Sequence, residues 1–471
     1  MTRPDTAPLG RRFWRVWSAA TVSATGDGLR VAFLPLLAAG VTRDPRAVAL
    51  VTAAGFAPWP LLGLLGGAVA DRVDRRRAMW VIDAARGALM AGFAVLVANQ
   101  GVSIGVLCAV AFALGTAQTV FDNAATALLP TVVAAGGLAR ANARLRSAQA
   151  VAVEFIGPPL GGLLFAVAAP LPPALDAVSF LTAAALIATL TGTRRTRTTR
   201  AAAAAGTARP KAAARTARPA RAAGSAPAKP RVVADIGDGL RWLAHQPFLR
   251  TLTAVTAVLG AITGALLAVL VLYVRDVLGL GGAGYGILFG CYGAGSIAGA
   301  LSCPRLLRRH PAGRLLTAAQ ITTVLILTAL AATTNPAVAA VALAVFGIAG
   351  GVWGVTDATL WQTLVPNDLL GRVASAYRTT VATAMTLGAG LAGVTAHTAG
   401  IPATLLGCAV LTAVLTATLG RRLATTPTSS ASPDRKDGWR QPIDGGQVGH
   451  VPRASAATRI GLPQAPPRYG E

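Results

Sequence analysis

Negative charge is scarce in this chain. Its 471 residues hold 18 Asp and Glu against 43 Lys and Arg, a formal net charge of +25, and charged residues together make up only 13%. Lysine is nearly missing, with only Lys211, Lys229 and Lys436. Long apolar stretches with hardly a charge in them do not suit a water-soluble domain, and the mean hydropathy of +0.57 points the same way. Cysteine and histidine number four each. Cys108, Cys291, Cys303 and Cys408 lie in apolar segments without metal-ligand or paired spacing, and read as small packing residues. His245, His310, His397 and His450 are scattered. No metal site, phosphate loop, or nucleophile with a nearby base can be assembled, so an enzyme is not expected, nor a cofactor. No cleavable leader is expected either.

What is present is a series of apolar runs, each long enough to cross a hydrocarbon core as a helix. Twelve spans are expected. The first covers about 13–39, the second 48–66 with a kink at Pro58-Trp59-Pro60, the third 78–98, the fourth 102–125, the fifth 148–168 and the sixth 173–190. The second six cover about 252–274, 284–301, 315–332, 338–360, 376–396 and 402–419. Between the two sets, Thr191 to Arg231 holds eleven Arg or Lys and no acid, with no apolar face to fold on. The organisation expected is therefore an N-terminus (1–12), an N-terminal six-helix half (13–190), a basic and largely disordered linker (191–250), a C-terminal six-helix half (251–420) and a disordered tail (421–471). Arginine concentrates in alternate loops and at both termini, while the other loops carry only Arg43, Arg46 and Arg275. The positive-inside rule then puts both termini in the cytoplasm of a bacterial cell and this all-α membrane protein in its inner membrane. The excess positive charge is explained by topology and by anionic lipid at the basic loops, so no nucleic-acid partner is needed. A monomer is expected.

Between the second and third spans lies Gly66-Gly67-Ala68-Val69-Ala70-Asp71-Arg72-Val73-Asp74-Arg75-Arg76-Arg77. A loop that only fixed topology would need arginine alone. This Gly-x-x-x-Asp-Arg-x-Asp-Arg-Arg-Arg pattern resembles the loop between helices 2 and 3 of the major facilitator superfamily, with Gly67, Asp71, Arg72, Arg75 and Arg76 matching and Asp74 in place of the usual glycine. An internal repeat agrees: Asp122 precedes Pro130 after the fourth span much as Asp357 precedes Pro366 after the tenth. Gly26-Asp27-Gly28, Leu129-Pro130 with Ala141-Asn142, Gly157-Pro158 with Gly161-Gly162, and Val365-Pro366 with Gly371-Arg372-Val373 narrow the resemblance to the branch holding the enterobactin exporter and the macrolide-efflux proteins. It covers roughly residues 11 to 420.

The resemblance implies a twelve-helix fold of two six-helix halves, and export of hydrophobic or amphipathic small molecules by alternating access, driven by proton entry. It also implies a cytoplasmic gate in which Asp71 meets the start of the eleventh span near Gly371 and Arg372. Arg72, Arg75 and Arg76 would complete that network with Asp83 and Arg86. Two features depart from the family. The fourth span has no arginine between Ile104 and Gln118, where many proton-coupled drug exporters carry one, and the gate motif is not repeated after the eighth span.

Carboxylates at mid-span are costly, so Asp27 and Glu154 are the first candidates for a proton or cationic-substrate site, with Asp122, Asp357 and Trp353 beside them. Arg30, one turn after Asp27, also allows a purely structural ion pair. Asp176 is placed near the outer end of the sixth span. Gly157, Pro158, Gly161 and Gly162 are read as helix packing. Trp361 and Tyr377 read as interface anchors. Two other classes stay open: an importer or symporter of a small nutrient on the same fold, and a non-transport sensor or scaffold.

Overall fold

The computed structural model describes residues 9–61, 75–133, 137–189, 241, 243–365 and 370–424. The linker, most of the gate loop and the tail beyond 424 lie outside the described residues. Those described form helices joined by short turns, with no strand among them. In the N-terminal half these are α1 (Gly10–Val41), α2 (Pro45–Phe56), α3 (Arg75–Ala98), α4 (Ile104–Val132), α5 (Leu138–Ala150), α6 (Gly157–Val167) and α7 (Leu171–Ala188). In the C-terminal half they are α8 (Pro247–Leu272), α9 (Gly282–Arg309), α10 (Ala312–Ala332), α11 (Pro336–Leu364), α12 (Leu370–Ala399) and α13 (Ile401–Ala424). Among the described residues are eleven membrane-length apolar helical stretches, the fourth of them, the expected fifth span, running through α5 and α6 together. The expected second span begins as α2, breaks at Ala57 just before Pro58, and resumes to residue 61. Exposed Leu301, Leu325, Val341 and Leu391 point away from the bundle, as lipid-facing residues do.

Since the chain runs up and down, the end carrying the termini is here termed proximal and the other distal. Two distal turns are built alike. The Asp44 carboxylate accepts the Arg46 N–H and the Asn335 side chain accepts the Ala337 N–H, both at 2.9 Å. A proline follows each cap at the first helical position, where a missing N–H costs nothing.

α5 and α6 are joined by a π-helical turn, Val151–Ile156. Its cause is legible in Gly157-Pro158-Pro159. Pro158 cannot donate to the carbonyl of Glu154, nor Pro159 to that of Phe155, so the ladder loses two bonds in succession and widens. The Glu154 carbonyl then faces α9, where a methyl on Gly293 would lie 1.9 Å from it.

Small residues set the helix spacing. Gly157 and Gly161 share one face of α6 and sit on Gly28 and Leu29 of α1, while Pro158 and Gly162 face Gly286 of α9. Thus one helix is held by both halves. α9 and α11 interlock through two G-x-x-x-G pairs, Gly295 and Gly299 against Ala344 and Ile348, and Gly347 and Gly351 against Tyr292 and Ser296.

Candidate functional site

Polar side chains inside the N-terminal half converge from four helices. Arg86 of α3, 1% exposed, donates from Nη2 to Asp27 Oδ1 of α1 at 2.5 Å and to Gln118 Oε1 of α4 at 2.8 Å. Its Nη1 lies 3.5 Å from Asp83 Oδ1, and its guanidinium stacks 3.9 Å from the ring centroid of Phe180 on α7. Arg30 donates to the same Asp27 oxygen at 2.9 Å. Gln118 passes the network on, donating to Asp122 at 2.9 Å, and Arg146 approaches Asp122 from the proximal side. Asp176 of α7 is fully buried, with Oδ2 unpartnered; a methyl on Gly26 would lie 2.2 Å from its other oxygen.

This geometry revises one expectation and adds to two others. Asp83 and Arg86 were placed with the gate loop; instead they lie inside the bundle, and the partners that the structure shows for Arg86 are on α1 and α4. Helical rise explains it, because eleven residues separate Arg86 from the start of α3, roughly 16 Å along the axis. The fourth span has no arginine of its own in this stretch, and Arg86 reaches its Gln118 from α3. Asp176 lies five residues in from the outer end of α7 and is nonetheless fully buried, because α1 covers it through the glycine at position 26.

Four carboxylates, Asp27, Asp83, Asp122 and Asp176, thus neighbour the buried guanidinium of Arg86 and the half-buried one of Arg30, with Arg146 near Asp122. An unbalanced charge is expensive in a low dielectric.

The second candidate, Glu154, sits elsewhere. With Trp353 it lines a cavity of about 610 Å³ between the π-turn and the C-terminal half. Thr256, Tyr292, Ser296 and Phe346 complete its polar and aromatic wall. Ser296 lies in hydrogen-bonding contact with the Glu154 carboxylate. The Trp353 indole N–H is buried without a partner, so this tryptophan belongs to the cavity. Asp357 is held at the edge: the Tyr377 hydroxyl donates to it at 2.5 Å and Thr256 at 3.4 Å. Tyr377 stacks on Trp361, ring centroids 4.7 Å apart, so both are inside the bundle rather than at an outer anchor.

Of the gate residues, Gly67, Asp71 and Arg72 lie outside the described residues, and only the helical backbone of Arg75, Gly371 and Arg372 is described. Arg76 is placed: its Nε donates to the Ile187 carbonyl at 3.1 Å and its Nη2 to that of Ala188, capping the end of α7. Among the described residues no group of three or more His, Cys, Asp or Glu could hold a metal ion.

This arrangement, two helical halves around an inner cavity with charged groups buried beside it, is that of a membrane transporter. The family model of the Major Facilitator Superfamily matches residues 16–389, and the chain belongs to that superfamily. That superfamily is one of multi-pass membrane transporters. An uncharacterized MFS-type transporter of Mycobacterium tuberculosis is 36% identical over 124 residues, 26% of this chain and 28% of that protein. The multidrug efflux pump Tap of Mycobacterium tuberculosis is 30% identical over 156 residues, 31% of this chain and 36% of that protein. The aligned parts therefore cover well under half of either relative. Among solved structures, the nucleoside transporter NupG superposes with a TM-score of 0.68 at 11% identity, over 88% of this chain and all of NupG, a likeness of fold.

Proposed function

We propose that the chain exports amphipathic small molecules that carry a positive charge, in exchange for protons, from the cytoplasm of a bacterial cell. The observation that carries this reading is the Glu154 cavity. It offers one acid among aromatic and aliphatic walls, in contact with both halves, so a change in their packing alters its access. A desolvated acid beside aromatic faces suits a lipophilic cation. The Asp27 cluster, on the other side of α6, supplies groups that can load and release protons as the halves move. Partial identity to an efflux pump and the motif resemblance support the direction. Arginine in the proximal loops supports cytoplasmic termini.

The gate loop fits the same scheme. Asp71 would meet the N-terminal end of α12 near Gly371 and Arg372, where a helix dipole favours a carboxylate. Arg72, Arg75 and Arg76 would hold that end of the bundle, as Arg76 does at α7.

The test is efflux of a fluorescent cationic dye from cells expressing the chain, with and without a protonophore, beside Asp27→Asn and Glu154→Gln. Protonophore-sensitive efflux lost in both variants is expected. Dye accumulation driven by the proton gradient would mean an importer and would overturn the reading. Movement indifferent to the protonophore would remove the proton from it.

A further inference from the structure

A second, smaller cavity of about 140 Å³ lies between the halves, walled by α1, α2 and α9. Two buried donors line it without a partner: the Nε of Arg30 and the hydroxyl of Thr52. The threonine is unusual for this chain. A helical threonine commonly satisfies its hydroxyl on the carbonyl four residues back, as Thr21, Thr25, Thr116 and Thr251 do here. Thr52 makes no such bond. Arg30 spends one amino group on Asp27 and leaves its Nε for the cavity.

The remaining wall is apolar and aromatic, with Phe56, Tyr285 and Phe289 foremost. The rings continue beyond it. Tyr285, Phe289 and Tyr292 follow one face of α9 with centroids 6.2 and 5.6 Å apart, and Phe346 stands 5.9 Å from Tyr292. Tyr292 and Phe346 line the Glu154 cavity. An aromatic wall therefore joins the two cavities over about 10 Å, the rise of seven helical residues.

We propose that Arg30 and Thr52 form a subsite for an uncharged hydrogen-bond acceptor, the carbonyl oxygen of an ester, lactone or amide, on a molecule whose cationic end lies at Glu154. Charge selects this chemistry. A second cation would face Arg30. A carboxylate would compete with Asp27, which already holds Arg30. A neutral carbonyl offers lone pairs to both donors and adds no charge. The space also exceeds one water, whose share of liquid volume is about 30 Å³, and its mostly apolar lining gives few partners to a water cluster. The substrate class is thus an amphipathic amine with a neutral acceptor about 10 Å from its nitrogen. This deepens the reading given above and rests on it for the cationic end.

The experiment measures binding to the purified full-length protein in lipid nanodiscs by quenching of tryptophan fluorescence. The probes are diethylaminohexyl toluate, an amino ester of that length, and the matched ether in which a methylene replaces the carbonyl. The wild type should prefer the ester. Thr52→Val, which keeps the volume and removes the hydroxyl, should weaken the ester about fivefold and leave the ether unchanged, as loss of one hydrogen bond would do. Thr52→Ser should keep the preference. Equal wild-type affinity for the two probes, as a water-filled pocket would give, overturns the subsite. So does an equal loss of both probes in Thr52→Val. Glu154→Gln should weaken both. If it weakens neither while Thr52→Val still discriminates, the cation reading falls and the acceptor subsite stands. Failure of the wild type to bind either probe overturns both.

Discussion

Arg86 of α3 reaches Asp27 of α1 at 2.5 Å inside the bundle, with Phe180 stacked beneath its guanidinium. That pair ties together two helices, and through Gln118 a third. Removing Arg86 leaves Asp27 with Arg30 and takes from Asp83 its arginine, and an undercompensated buried charge costs up to about 3–5 kcal/mol. Arg86→Met should therefore lower the apparent melting temperature of the detergent-solubilised protein by several degrees. The double variant Asp27→Asn/Arg86→Met should recover part of the loss, because it removes both charges. A double variant as unstable as the sum of the singles would mean that the two residues do not act on each other.

The α9–α11 crossing gives a matched test of close packing. A methyl on Gly347 would lie 2.0 Å from the Tyr292 carbonyl oxygen, whereas one on Gly354 meets nothing within 4 Å. Gly347→Ala should force the helices apart and destabilise by about 1–3 kcal/mol, the range for overpacking. Gly354→Ala, on the same helix, should be neutral or stabilise by about 0.5–1 kcal/mol, since alanine loses less backbone freedom in a helix. Thermal unfolding of the two variants side by side checks both. Equal effects would mean that helix propensity, not contact, sets the outcome.

Glu154 depends on the π-turn, and the π-turn on its prolines. Pro158→Ala restores a donor for the Glu154 carbonyl, one of the two that the turn lacks, and tightening towards an α-helical turn would rotate the side chain relative to α9. We expect Pro158→Ala to fold, to reach the membrane, and to lose at least half of dye binding at fixed concentration. Fluorescence quenching in nanodiscs reads this. Unchanged binding would show that the bulge is incidental to the cavity.

The order of elements was legible because hydrophobic length and arginine placement act along the chain. The charged network was only half legible. Asp27 stood out as a mid-span acid, and Gln118 as the nearest polar group on the fourth span. Nothing linear joins them to Arg86, since α1, α3, α4 and α7 become neighbours only in the bundle. The burial of Asp176 was not legible for a related reason: it depends on Gly26, from a helix 150 residues earlier in the sequence. The bulge at Glu154 could have been found, because two adjacent prolines remove two successive donors in any helix. Its consequence, a carbonyl turned toward Gly293, required knowing which helix lies opposite.

The distal end shows how the halves are held together. Arg275 at the end of the seventh span pairs with Asp276 at 2.6 Å and donates to the Ala39 carbonyl of α1. His397 of α12 lies 3.2 Å from Asp44, the cap of α2. Next to that pair, Gly393 packs on Pro45 and Ala49. All three contacts cross between the halves at one end, and the export by alternating access proposed above requires them to part. Cysteines at positions 44 and 397, in a background with Cys108, Cys291, Cys303 and Cys408 replaced by serine or alanine, should form a disulfide under mild oxidation. Efflux from intact cells should then stop and return with a reductant. The single variants Asp44→Cys and His397→Cys should remain active under both conditions. Dye binding from the proximal side should survive the crosslink, because the Glu154 cavity does not include the distal contacts. If efflux continues with the disulfide in place, the distal ends of α2 and α12 do not separate during transport, and the passage must open elsewhere.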